Sequence, residues 1–142
     1  LADSFQGLPV PSEELDLGLD LSRELYPHLA VSRAEVERVF RDYELLDERV
    51  RFLEGWFRDT LPGAPVETIA LLRLDGDLYE STRDALQALY QRVAPGGSVI
   101  IDDYFLPPCR RAVEEFREAA GIDDAIVRID WTGVFWRRSH PP

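Results

Sequence analysis

The chain has no lysine, no methionine, one cysteine and no long apolar run. Each shortage narrows what the protein can be. A membrane-spanning helix needs about 20 consecutive apolar residues, and none are present. The chain does not open on a secretory apolar segment either, and no membrane partner is expected. A lone cysteine, Cys109, cannot form an internal disulfide, which fits a reducing, cytoplasmic setting. It has no histidine nearby in sequence and reads as a structural residue; His28 and His140 read as ordinary surface residues. All 16 basic residues are arginines, against 27 acidic ones, giving a net charge of −11. Such a chain is a poor match for a phosphate backbone, so no nucleic-acid partner is expected. A natural translation product starts with Met, whereas this chain starts with Leu1. The expectation is a fragment or a processed chain.

What is present reads as one globular domain. Hydrophobic residues make up 45% and charged residues 30% of 142 positions, an ordinary balance for a packed core. Residues 1–3 resemble the tail of a strand. Residues 9–27 are irregular and acidic, with Glu13, Glu14, Asp16 and Asp20, and read as a long connection of the lid or binding-loop kind. Ser32 and Glu35 form a capping box for a helix whose apolar face is Val36, Val39, Phe40 and Tyr43. Residues 50–53 form a short strand candidate, and 59–63 a turn. Residues 69–74 are nearly all apolar, as in a parallel strand covered on both faces. Ser81 or Thr82 is the expected cap of the next helix, with Leu86, Leu89, Tyr90 and Val93 inward. Pro95-Gly96-Gly97 then turns the chain into a strand at 98–101. Pro107 and Pro108 open a further helix, with Val113, Phe116 and Ala120 inward, and Gly121 stops it. Residues 125–130 and 134–138 read as a hairpin around Trp131-Thr132-Gly133. Alternating strands and helices predict an α/β sheet with right-handed crossovers and one reversed edge strand.

Two acidic clusters stand out against this background. Asp75-Gly76-Asp77 follows the strand at 69–74, and Asp102-Asp103 follows the strand at 98–101. If the two strands are parallel neighbours, their ends lie about 4.8 Å apart. Like charges crowded at that distance repel and raise one another's pKa unless a cation neutralises them. A hard divalent ion with oxygen ligands suits the arrangement, and the carboxyl edge of an open α/β sheet is where ligand sites lie. Asp77 also reads as a simple helix-start residue. Arg73 interrupts the apolar run and is placed to reach a carboxylate at the sheet edge.

Several segments together resemble the macrocin O-methyltransferase (TylF-like) family. They are Ala2-Asp3-Ser4-Phe5-Gln6-Gly7-Leu8-Pro9, the run from Phe52 through Glu54-Gly55-Trp56-Phe57 to Pro62, and the run from Leu72 through Asp75-Gly76-Asp77 to Thr82. Pro95-Gly96-Gly97, Asp102-Asp103-Tyr104 and the closing run from Ile129 to Trp136 add to these. The resemblance covers nearly the whole chain. It implies an enzyme that methylates a sugar hydroxyl of a macrolide or other antibiotic, using S-adenosyl-L-methionine and Mg2+. By the same resemblance, Asp75, Asp102 and Asp103 are the metal ligands and Asp75 is the catalytic base. Asp3 would meet the cofactor ribose, Ser4 would also bind the cofactor, and Gly55, Trp56 and Phe57 would flank its adenine. Read from the residues alone, Trp56 and Phe57 also suit core packing, and so do Trp131 and Trp136. Tyr104 and the connection at 9–27 would face a small glycosylated substrate. A homo-oligomer is implied too.

The implied fold is the class I methyltransferase (Rossmann-like) sheet, with an antiparallel edge hairpin. Its first strand lies centrally, yet this chain starts at the end of the second strand. The first strand, its glycine turn and its helix are therefore expected to be missing. The strands near Val50 and Ile69 should not pair with each other. On this reading, residues 1–142 are the C-terminal part of one methyltransferase domain, with a lid segment and helix at about 9–48 and a strand–helix core at 49–142. Such a segment need not be active by itself. Two other readings fit parts of the sequence. A metal-dependent glycosyltransferase accounts for Asp75-Gly76-Asp77 but not for Asp102-Asp103. A non-catalytic half-domain serving as an interaction module accounts for the missing strand.

Overall fold

The computed structural model describes residues 1–12 and 14–139. Glu13 and His140, both noted in the sequence, lie outside the described residues. Strand β1 (Ala2–Asp3) pairs in parallel with β2 (Leu53–Glu54). A second, four-stranded sheet has the order β3 (Ile69–Leu74), β4 (Val93–Ile101), β6 (Val134–Arg137), β5 (Val127–Arg128). β3 and β4 are parallel, while β6 runs antiparallel to both β4 and β5. This is an α/β arrangement with an antiparallel edge hairpin, as expected. β2 and β3 do not pair. A cleft of about 880 Å³ separates β1 from β3, lined by Ala2, Leu71 and Arg73 among others. Leu71, in the middle of β3, is 58% exposed there. Among the described residues no helix is long and apolar enough to cross a membrane.

The helices are α1 (Arg33–Asp42), the short α2 (Phe57–Thr60), α3 (Tyr79–Leu89) and α4 (Pro107–Ala119). The Ser32–Glu35 capping box is formed. The expected apolar face of α1 is only partly covered. Phe40 meets Phe52 edge-on at 6.2 Å, while Val39 and Tyr43 stay exposed. α4 begins at its proline pair and ends at Gly121, which adopts φ +64°. There the Ile122 N–H reaches the Arg117 carbonyl in a Schellman-type closure. Ala120, expected inward, is exposed.

Three local expectations are corrected. The segment after Trp56 is a turn of helix before it becomes a loop. α3 starts at Tyr79, so Ser81 and Thr82 lie inside it rather than capping it. Pro95-Gly96-Gly97 is no turn between helix and strand; it is a bulge inside β4. Val93 already pairs with Ile69, and the register resumes at Ser98 opposite Leu71. The extra residues bow outward, and Gly97 comes so close to its neighbours that a Cβ would lie 2.8 Å from the Ala94 oxygen and 3.0 Å from the Ala70 oxygen.

The core sits between the four-stranded sheet and α3 and α4. It is built from Leu72, Leu74, Leu86, Val99, Ile101, Val113 and Trp136, with Cys109 among them. Burying this face is the main driving force for the second half of the chain. Arg138 is 3% exposed and donates to the carbonyls of Tyr90 and Gln91, which satisfies the end of α3 and its 3-10 extension at Tyr90–Arg92.

Candidate functional site

The acidic cluster is set by the β3–β4 ladder. Leu74 stands opposite Ile101. The ladder runs one step further, with the Asp102 N–H donating to the Leu74 carbonyl at 2.9 Å. Asp75 and Asp102 therefore leave the sheet side by side. Asp75, Asp102 and Asp103 each offer a carboxylate oxygen within 4.8 Å of the others. Arg73 resolves the interruption noted in the sequence. Its Nη1 lies 2.9 Å from Asp75 Oδ2 and its Nη2 lies 2.8 Å from Asp102 Oδ2, so one guanidinium bridges two of the three carboxylates.

Asp77 joins this cluster, which goes beyond its reading as a helix-start residue. It adopts a left-handed backbone, φ +53°, that turns its carboxyl into hydrogen-bonding reach of Asp103. Burial, then the charge of Asp75, pushes the Asp77 carboxyl above the usual range. Burial, then the charge of Asp77, pushes Asp103 up to about 7. Asp103 Oδ2 is buried without a hydrogen-bond partner. Three converging carboxylates, one with an orphaned buried oxygen, form a donor set that fits a hard divalent cation.

A pocket of about 270 Å³ opens beside the cluster, with Asp3, Ser4, Trp56, Phe57, Asp75 and Asp77 in its wall. Asp3 and Ser4 come from the end of β1. Asp3 Oδ1 accepts the Phe5 N–H at 2.6 Å, and Ser4 Oγ donates to the Gly7 carbonyl at 2.7 Å. Together they curl the chain after the strand. Trp56 and Phe57 come from the start of α2 and are half-buried, facing the pocket. Gly55 stands just before them at φ +139°, where a Cβ would lie 2.6 Å from Thr60 Cγ2. It shapes the turn and does not line the pocket. Gly7, Leu8 and Pro9, where the long connection begins, complete another part of the wall.

Two aromatic expectations divide. Trp136 is fully buried, whereas Trp131 is 73% exposed and rests on Phe105 at 5.8 Å. Tyr104 donates its hydroxyl to Glu114 and does not line the pocket. Sequence reasoning missed the role of Asp16. It is 1% exposed, and its Oδ1 accepts the Tyr79 N–H at 2.8 Å. No local signal marks a cap that comes from 63 residues away.

The model of the macrocin O-methyltransferase (TylF) family matches residues 1–138. The chain is 53% identical over 145 residues to demethyldecarbamoylnovobiocin O-methyltransferase of Streptomyces niveus, a match over 98% of this chain and 54% of that protein. It is 51% identical to mycinamicin III 3''-O-methyltransferase of Micromonospora griseorubida, over 98% of this chain and 56% of that one. The solved structure of the O-methyltransferase NovP aligns with a TM-score of 0.93 at 54% identity, covering 98% of this chain and 59% of its own. The chain spans about half the length of the curated relatives it matches.

Proposed function

This chain belongs to the macrocin O-methyltransferase family, and from that premise we propose that it forms part of a sugar O-methyltransferase dependent on S-adenosylmethionine and Mg2+. The observation that carries the reading is the shared wall. Asp75 borders both the carboxylate cluster and the pocket that Asp3, Ser4 and Trp56 line. A cation site and a cofactor site would then adjoin, as transfer between two bound reactants requires. The acceptor is a hydroxyl on the sugar of a small glycosylated natural product, in line with a relative named as the 4'-O-methyltransferase of a rhamnosyl-tetracenomycin.

Asp75, Asp102 and Asp103 would hold the cation. Asp3 would hold the ribose of the methyl donor with Ser4 beside it, and Trp56 and Phe57, set by the turn at Gly55, would enclose its adenine. When bound, these groups supply a Lewis acid and a sulfonium methyl. The chain's own residues do the rest. Transfer to a hydroxyl releases a proton, and the Asp75 carboxylate is the assigned acceptor. A carboxylate is a weak base for an alcohol, so the placement of Asp75 against the reacting hydroxyl matters most. Arg73 supplies that placement by fixing Asp75 against Asp102. Trp56 and Phe57 keep water from that side of the pocket.

The test is calorimetric titration of S-adenosylmethionine into the natural full-length protein, with Mg2+ and with a chelator, alongside methyl transfer by Asp102→Ala. Binding of the donor with transfer abolished by chelation and by Asp102→Ala is expected. Binding of a nucleotide sugar, with none of S-adenosylmethionine, would establish the glycosyltransferase reading instead.

A further inference from the structure

Asp16 lies in the irregular connection 9–27, yet it is the one residue there that is fully buried among the described residues. Both of its carboxylate oxygens meet backbone donors. Oδ1 accepts the Tyr79 N–H at 2.8 Å and Oδ2 accepts the Ser12 N–H at 2.7 Å. Its own N–H donates to the Ser12 carbonyl, and its carbonyl accepts from Leu19. The carboxylate thus closes a compact turn in the connection and docks that turn on the first residue of α3.

The docking point is chemically significant. α3 has Leu78 at its N-cap, with no side-chain cap of its own. A Ser, Thr or Asp at that position would satisfy the helix start locally. Leu78 is instead 1% exposed and committed to packing, and the cap arrives from a distant strap. Burying a carboxylate is costly unless it is well paired, and the helix start supplies both a donor and a favourable dipole. Residues 75–78, which precede α3 directly, carry Asp75 and Asp77. Gly7, Leu8 and Pro9, where the chain enters the strap, line the pocket, and Leu8 bridges to Ser22 near the strap's other end. One carboxylate therefore ties the strap to the first residue of α3, directly after the acidic loop.

We propose that Asp16 is a positioning residue: from the strap it fixes the start of α3 and, through it, the 75–78 loop, and so couples the strap that leaves the pocket wall to the geometry of the carboxylate cluster. The proposal rests on the cation reading above. It makes Asp16 comparable to an outer-shell partner that orients metal ligands without touching the metal.

The experiment uses the natural full-length protein with Mn(II) as the probe, read by electron paramagnetic resonance, together with amide hydrogen exchange over residues 76–82. The variants are Asp16→Ala and the isosteric Asp16→Asn, which keeps one acceptor and folds even if the alanine variant does not. Asp20→Ala is the control, because Asp20 is exposed and accepts from its close neighbour Ser22. Asp16→Asn should weaken Mn(II) binding by about 10-fold or more, with faster exchange at 76–82 even without metal, and with a larger effect in Asp16→Ala. Asp20→Ala should match wild type. Unchanged Mn(II) affinity in a folded Asp16→Asn protein, or unchanged exchange at 76–82, overturns the proposal. Wild type that takes up no Mn(II) instead refutes the cation reading, and exchange at 76–82 then decides whether Asp16 pins the loop.

Discussion

Arg73 Nη2 stands 2.8 Å from Asp102 Oδ2, across the ladder from its own strand, and so links the carboxyl ends of β3 and β4. With its other nitrogen on Asp75, it offsets part of the repulsion in the cluster. All three side chains are about half exposed, so solvent screens the pairs and each is worth about 1 kcal/mol or less. Arg73→Gln should therefore lower the melting temperature of the metal-free protein modestly. Added Mg2+ should stabilise this variant more than wild type, because a cation replaces the missing positive charge. Thermal unfolding with and without Mg2+ checks both; equal Mg2+ stabilisation of the two proteins would count against the cluster as the cation site.

Asp103 gives the cluster a pH signature. Its carboxyl is raised from 3.8 to about 7 in the folded state, first by burial and then by the charge of Asp77. A raised acid binds more protons folded than unfolded between those values, so its contribution to stability falls as pH rises through that window. Metal-free protein should lose this contribution between about pH 4 and 7. With Mg2+ the trend should reverse, because binding requires the ionised carboxylate and releases protons. Unfolding curves at pH 5 and pH 8, with Mg2+ and with chelator, read the sign directly.

Gly97 should not tolerate a side chain. An added methyl would meet the Ala94 and Ala70 oxygens and Val93 Cγ1 at 3.0 Å or less. Backbone oxygens cannot move aside cheaply. Gly97→Ala should cost about 1–3 kcal/mol, the usual range for overpacking. Gly96→Ala meets no such obstruction, only strain from its φ of +80°. Denaturant unfolding of the two variants separates steric conflict from backbone preference.

Cys109 should be inert in the native protein. It is 1% exposed, and burial pushes its thiol up to about 12. The thiolate is the reactive form. Alkylation by iodoacetamide at pH 8 should therefore track unfolding. Fast labelling of folded protein would show that α4 opens locally.

Much of this was legible in the sequence because its causes are local. The capping box of α1, the apolar run of β3, the proline pair opening α4 and the acidic residues at two strand ends all depend on neighbours within a few positions. The misread features depend on residues far apart in the chain. α3 starts before Ser81 because its cap is Asp16. Pro95-Gly96-Gly97 is a bulge because Ile69 pairs with Val93 and holds the strand together across it. Asp77 enters the cluster through a left-handed backbone that its residue type permits but does not require. Trp131 is exposed because the hairpin turn carrying it projects from the sheet, a matter of tertiary placement that its hydrophobicity does not reveal.

The uneven distribution of buried residues has a thermal consequence. Among the described residues up to 60, only Ser4, Phe5 and Asp16 are buried, whereas the core clusters beyond them. The two halves of this chain should not melt as one cooperative unit. The first half, with a sheet of two two-residue strands and a largely uncovered helix, should open at much lower free energy than the β3–β6 body. Calorimetry of the 142-residue chain should record a weak early transition, followed by the sharp one of the packed sheet.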